Sequence, residues 1–172
     1  MTSRVPPRAA AVVGMVVAAL AGCAGARIEA GVFHSDKGYR VTLPGAGWTV
    51  DGDSAADLVL RRSAGPAAIL ANAECGRAGG RALDVLARHL LLGVRDRVTV
   101  ERGEASVGGR PALRAVLDGR VGPGDAPTRI ETYVVRDGRC VYDLVYVAPP
   151  AAFEAWRGDF RRLVESFATE AR

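Results

Sequence analysis

Between residues 31 and 62 the apolar positions come in short runs broken by turn residues. Gly31–His34 and Tyr39–Leu43 flank Ser35-Asp36-Lys37-Gly38, and Pro44-Gly45 stops the second run, which predicts a hairpin. "LVLRR" from Leu58 and "AAILANAE" from Ala67 predict two more strands, separated by Ser63-Ala64-Gly65-Pro66. The period then changes. In "RALDVLARHLLLGV" Leu83, Leu86, Leu90 and Val94 recur at helical spacing, Ala87 and Leu91 widen the stripe, and Gly93 ends it. After Arg97 the pattern is β again: "VTVERGEASV", Gly108-Gly109, "PALRAVLDG", a Gly/Pro loop over Val121–Pro127, "TRIETYVVR", Asp137-Gly138 and "RCVYDLVYVA". Asp-Gly between two β-rich runs is a strong hairpin signal. Large apolar residues occupy both parities of Cys140–Val147, so this strand is expected at the centre of a sheet with both faces covered. Past Pro149-Pro150, the residues Phe153, Trp156, Phe160, Leu163, Val164 and Phe167 form one helical apolar face, expected to dock as core.

The N-terminus follows a different pattern. Arg4 and Arg8 precede an uncharged stretch from Ala9 to Gly22. A membrane-crossing helix needs about 20 apolar residues, whereas a basic start, a short apolar centre and a small-residue exit describe an export signal. Its last residues with the next, Leu20-Ala21-Gly22-Cys23, resemble the lipobox of bacterial lipoproteins. That likeness implies cleavage before Cys23 and acylation of its thiol, a palmitate-type anchor. The expected organisation is a signal peptide over 1–22, a lipidated tether over 23–31 and a single domain over 32–172. The expected place is the bacterial cell envelope, lipid-anchored and facing the periplasm; Ala24 after the cysteine favours the outer membrane by analogy with lipoprotein sorting.

Composition changes this picture in two ways. The chain carries a formal charge of +4, but Arg4 and Arg8 account for two of those charges and the signal has no acid, so the working protein is only weakly basic. Its arginines are interleaved with Asp and Glu, whereas a nucleic-acid binder would show a basic stripe. Removing Cys23 from the fold also leaves two of three cysteines, Cys75 and Cys140. Export favours a disulfide between them, and for a separation of 65 residues loop closure gives about 4 kcal/mol. Buried free thiols are the competing reading. There is no C-x-x-C, and His34 and His89 are the sole imidazoles, so neither a metal nor a cofactor is expected. His89, off the centre of its helical stripe, is expected to be exposed or locally hydrogen-bonded.

Three stretches carry a wider resemblance: "YRVTLPGAGW" (Tyr39–Trp48), "SVGGRPALR", and "DGRCVYDLVYVAPPAAFEAWRGDFRRLVESF". With the order hairpin, two strands, helix, four-strand meander and aromatic helix, they resemble the PsbP-like (Mog/PsbP-type) α/β/α sandwich from about Phe33 to Phe167. The fold class this implies is α+β, a central antiparallel sheet covered by helices. Members of that fold are mostly binding or assembly factors, which implies a non-catalytic module working through protein contacts. No functional residue carries over from it.

The enzyme patterns are weak. "GEASVG" misses the G-x-S-x-G elbow because Gly103 stands three residues before Ser106, and both histidines precede that serine. It reads as a strand end and turn. "GPGD" and "AGGR" lack the Lys-Ser/Thr of a phosphate loop. Asp57 and Glu74 are carboxylates that sequence cannot place in one cleft. The expected function is therefore a lipid-anchored envelope binding or assembly module with no catalytic residues and an unidentified envelope protein as partner. A small-molecule or lipid carrier and a hydrolase with an unrecognised site are the alternatives.

Overall fold

A computed structural model describes residues 25–76, 80–122 and 124–170. Cys23 and the signal segment 1–22 lie outside the described residues.

Among the described residues, two antiparallel sheets and two helices make up the fold. The small sheet is β1 (Arg27–Glu29), β2 (Val32–His34), β3 (Tyr39–Thr42) and β11 (Ala168–Thr169), paired in the order β1-β2-β3-β11. The large sheet contains β4 (Trp48–Val50), β5 (Leu58–Arg62), β6 (Ala68–Cys75), β7 (Arg95–Val107), β8 (Arg110–Val121), β9 (Ala126–Arg136) and β10 (Cys140–Ala148), in the order β4-β5-β6-β10-β9-β8-β7. Helix α1 (Leu83–Leu90) carries the chain from β6 to the far edge at β7, and α2 (Phe153–Glu165) follows β10 after a 3₁₀ turn at Pro150–Ala152.

The expected hairpins are present, and the expected central strand is the central one, β10. Gly108 and Gly109, both at positive φ, close the β7–β8 hairpin, so "GEASVG" is a strand end and turn. The first strand is a difference. Arg27–Glu29 fell within the expected tether, yet it pairs with β2 through the two-residue turn Ala30-Gly31. Both turn residues have positive φ (48° and 77°), the backbone that a two-residue hairpin requires. Alanine in that position hides the turn from sequence.

The α2 face of the large sheet is dry and aromatic. Every second residue of β10 (Tyr142, Leu144, Tyr146) meets Leu60 and Ile69 from neighbouring strands and Phe160 and Leu163 from α2, all essentially without solvent contact. The small sheet closes the same core with Tyr39 and Val41. Ser166 ties the end of α2 to β3, accepting from the Thr42 N–H at 2.8 Å and donating to Leu163 O at 2.7 Å. Arg62 lies between the rings of Trp48 and Trp156, 5.6 and 5.7 Å from their centroids, and the Trp48 indole donates to Asp159. One carboxylate is wholly buried beneath α2: Glu131, 0% exposed, accepts from Arg114 Nε at 2.6 Å and Arg157 Nε at 2.7 Å.

The opposite face corrects the expectation of a sheet covered by helices. Helix α1 has eight residues, about 12 Å of length, and seven strands span about 29 Å. It buries Leu86 and Ala87 against Val134 of β9 and Val141 of β10, with Leu83, Leu90 and Leu113 half-covered around them. The molecule is thus sheet-rich, with one face sealed and the other only ridged. The helix also stops short of the expected stripe, because the chain turns through Leu91 and Leu92 to Gly93 at φ 92°, which leaves Leu92 74% exposed.

Candidate functional site

Cys75 and Cys140 are joined, linking β6 to β10 at a position where they are direct partners in the sheet register. A 460 Å³ hollow lies over this bridge, lined by Lys37, Gly76, Gly138 and Arg139 besides the two cysteines. Its lysine is already engaged: Lys37 Nζ meets Asp57 Oδ1 at 2.6 Å and donates to Ala73 O at 2.7 Å. Asp57 Oδ2 in turn accepts from the Tyr39 hydroxyl and the Ala73 N–H. Burial first, then the Asp57 charge, raises the Tyr39 phenol far above its ordinary value. This network fastens the β2–β3 hairpin to β6, and it accounts for Asp57 without any chemistry.

Grooves flank helix α1. On the β6–β10 side, a 200 Å³ cavity lined by Glu74, Arg81, Leu86, His89, Leu90, Val141 and Asp143 adjoins a 300 Å³ cavity lined by Ala55, Ala56, Leu70, Asn72, Val145 and the same Leu90 and Asp143. The two shared residues make one continuous groove. The strand period builds its floor: Leu70, Asn72 and Glu74 alternate on β6, and Val141, Asp143 and Val145 alternate on β10, with Asn72 opposite Asp143. Burial, followed by the nearby Glu74 charge, pushes the Asp143 carboxyl up to about 6. Two carboxylates with one Arg81 at the rim give this groove an acidic floor with apolar walls.

On the β7–β8 side the charge is reversed. A 190 Å³ cavity is lined by Arg88, Arg97, Arg102 and Thr99 over Ala87, Leu91, Ala115 and Leu117, with no acid among them. At the open end of α1 a 360 Å³ cavity includes Leu83, Asp84, Glu104 and Leu113.

The structure brings together residues that sequence reading left apart. Glu74, His89 and Asp143 share the acidic groove, while Asp57 and Glu74 do not share a cleft. His89 is exposed, as expected. His34 Nδ1 lies 2.8 Å from Glu170 Oε1 at the edge of the small sheet. Ser106 is exposed on β7, and neither histidine hydrogen-bonds to it. Asp143 was missed, although a lone acid in the run "CVYDLVYV" is the one local sign of a position that is not pure core. Among the described residues no group of three or more His, Cys, Asp and Glu side chains is placed to hold a metal ion, and no helix is long and apolar enough to cross a membrane.

The chain matches no protein-family model and no curated protein. Its architecture does have counterparts among solved structures. LpqN of Mycobacterium tuberculosis, described as involved in cell envelope biogenesis, superposes with a TM-score of 0.60 at 15% identity over 80% of this chain and 88% of its own. Cyanobacterial PsbP (CyanoP) from Synechocystis sp. PCC 6803 gives 0.55 at 18% identity over 87% and 98%. A protein from Bacteroides thetaiotaomicron gives 0.55 at 9% identity over 78% of this chain, which spans 46% of that larger protein. The fold is therefore PsbP-like, as the sequence resemblance implied.

Proposed function

We propose that this chain is a lipid-anchored protein of the bacterial cell envelope that acts as a non-catalytic binding module, making a protein contact through the acidic groove beside α1. The observation that carries the reading is the inequality of the sheet's two faces. One is closed by α2 and the small sheet. The other keeps Asp143 on its central strand beside Glu74 and His89, at the edge of an apolar wall. A carboxylate held up to about 6 in a half-covered groove has few partners of its own and suits a basic or hydrogen-bond-donating side chain from another protein. The role of LpqN in cell envelope biogenesis supports the location, and "LAGC" supports the anchor. One acyl chain holds a protein only marginally and two hold it stably, so a Cys23 carrying more than one chain would keep the protein at the membrane without a spanning helix.

Two measurements test this. Cys23→Ser should lose membrane association, and a Cys23→Ser chain recovered acylated in the membrane fraction would overturn the anchor. A photo-crosslinker at His89 in the native envelope should yield a discrete protein adduct, whereas one at Glu165 on the exposed side of α2 should not. No adduct at His89, or equal adducts at both, rejects the protein contact. A second reading has one observation behind it: the 300 Å³ cavity bounded by Ala55, Leu70, Leu90 and Val145 reaches the lower volume of small-molecule sites. A small apolar ligand protecting Leu70 and Val145 methyl resonances would favour the carrier.

A further inference from the structure

The groove on the other side of α1 has a different chemistry. Arg88, Arg97 and Arg102 converge on its 190 Å³ volume over an apolar floor that includes Leu91 and Leu117. Their engagement is light. Arg88 reaches Asp84 at 3.3 Å across an exposed pair, and Arg97 Nη1 donates to Leu91 O at 3.3 Å. The Arg102 side chain makes no ion pair or hydrogen bond among the described residues. Of the nearby acids, Asp96 pairs with Arg120 and Glu101 lies on the opposite, α2 face with Arg114, while Asp84 and Glu104 line the next cavity along the helix rather than this one. Leu92, 74% exposed, borders this groove directly after Leu91, and two more large apolar residues that are exposed among the described residues, Val98 (62%) and Val100 (48%), lie on the same edge strand, Val98 opposite Asp118 on its other face.

We propose that this groove is a binding site for the phosphate headgroup of an anionic phospholipid, with exposed Leu92 and the β7 edge strand resting against the acyl boundary. Guanidinium groups match phosphate oxygens in pairs, and exposed apolar residues flanked by arginines are the composition of an interfacial membrane contact. The charge selects an anion, and the apolar floor with exposed Leu92 beside it selects a lipid over a free ion. The site is independent of the protein contact, which lies across the α1 ridge, so either can fail alone. It would also give a lipidated chain a second hold on its membrane and fix which face of the domain turns outward.

The test uses the full chain purified in a neutral detergent and native mass spectrometry to count retained lipid. Three probes are compared: dihexanoyl phosphatidylglycerol, dihexanoyl phosphatidylcholine and inorganic phosphate. Phosphatidylglycerol should be retained preferentially. Arg97→Gln combined with Arg102→Gln should weaken that retention about 30-fold, the effect of removing two surface arginines from a phosphate site, with an unchanged melting temperature. Arg139→Gln, beside the disulfide, should leave it unaltered. If the double substitution impairs folding, Arg102→Gln alone is used, with about a fivefold loss expected. Equal retention of the two lipids, an unaffected folded Arg102→Gln chain, or inorganic phosphate bound as tightly as the lipid each overturns the assignment.

Discussion

The two faces of the seven-stranded sheet are built from the same strands yet are organised for different ends. On one, Tyr142, Leu144 and Tyr146 disappear under α2 and the small sheet. On the other, their neighbours Val141, Asp143 and Val145 meet a helix of eight residues and the grooves beside it. A strand can place a rigid, fully packed residue next to one that remains available, because successive side chains point to opposite faces. The sealed face fixes the geometry of the open one. Stability should therefore reside on the α2 side and recognition on the α1 side, and substitutions can separate the two.

The largest effect is expected from Phe160→Asp, which would put a charge among Tyr133, Tyr146 and Leu163. Truncating a buried aromatic costs about 3–5 kcal/mol, and a buried unpaired charge costs more. The domain should lose its cooperative thermal transition, and a folded variant with an unchanged melting temperature would break the assignment of the α2 face as core. Glu131→Ala should follow at about 3–5 kcal/mol, since it strands Arg114 and Arg157 without their buried partner. Urea unfolding measures this, and a loss below about 1 kcal/mol would mean that water reaches the guanidinium groups.

Replacing Cys75 and Cys140 together by alanine should cost about 2–4 kcal/mol, again read from urea midpoints. Asp143→Asn should act in the other direction. With its carboxyl raised to about 6 in the folded protein and near 3.8 unfolded, the native state holds the proton more tightly. The wild-type group thus favours folding most below pH 4, and that advantage is lost as pH rises through 6. Asparagine carries no such loss, so the variant should be more stable by about 3 kcal/mol at pH 7.5 but by no more than about 0.5 kcal/mol at pH 4. Melting temperatures at the two values decide it; an equal difference at both would place Asp143 in water and remove the contrast between the faces. The smallest stability effect belongs to Arg97→Gln with Arg102→Gln, within about 0.5 kcal/mol, although this pair should change lipid retention the most.

The closed face was legible from sequence because periodicity reports burial. Phe153, Phe160, Leu163 and Phe167 sit at helical spacing and all four are buried. The disulfide followed from setting Cys23 aside. The open face was not legible for the same physical reason. Val141 and Val145 carry the apolar signature of a doubly covered strand, but whether they are covered depends on the length of a helix crossing from another part of the chain. The end of α1 was expected at Gly93, but the turn that already begins at Leu91 could not be told from the continuing stripe of leucines. Nor does sequence bring Glu74, His89 and Asp143 together, since they lie on β6, α1 and β10. Short strands escaped as well: β4 at Trp48–Val50 and β1 at Arg27–Glu29 have three residues each, too few to display a period.

The Cys75–Cys140 bridge joins strands that already pair side by side. These strands come from the two halves of the chain: β1 to β6 precede α1, and β7 to β10 follow it. Two copies of such a protein could otherwise trade halves through the α1 connection, β6 of one chain pairing with β10 of another, since every hydrogen bond would be reproduced in the exchanged dimer. A covalent link within the chain forbids that exchange. Once it is closed, each molecule is committed to its own second half, and the grooves beside α1 are always assembled from a single polypeptide.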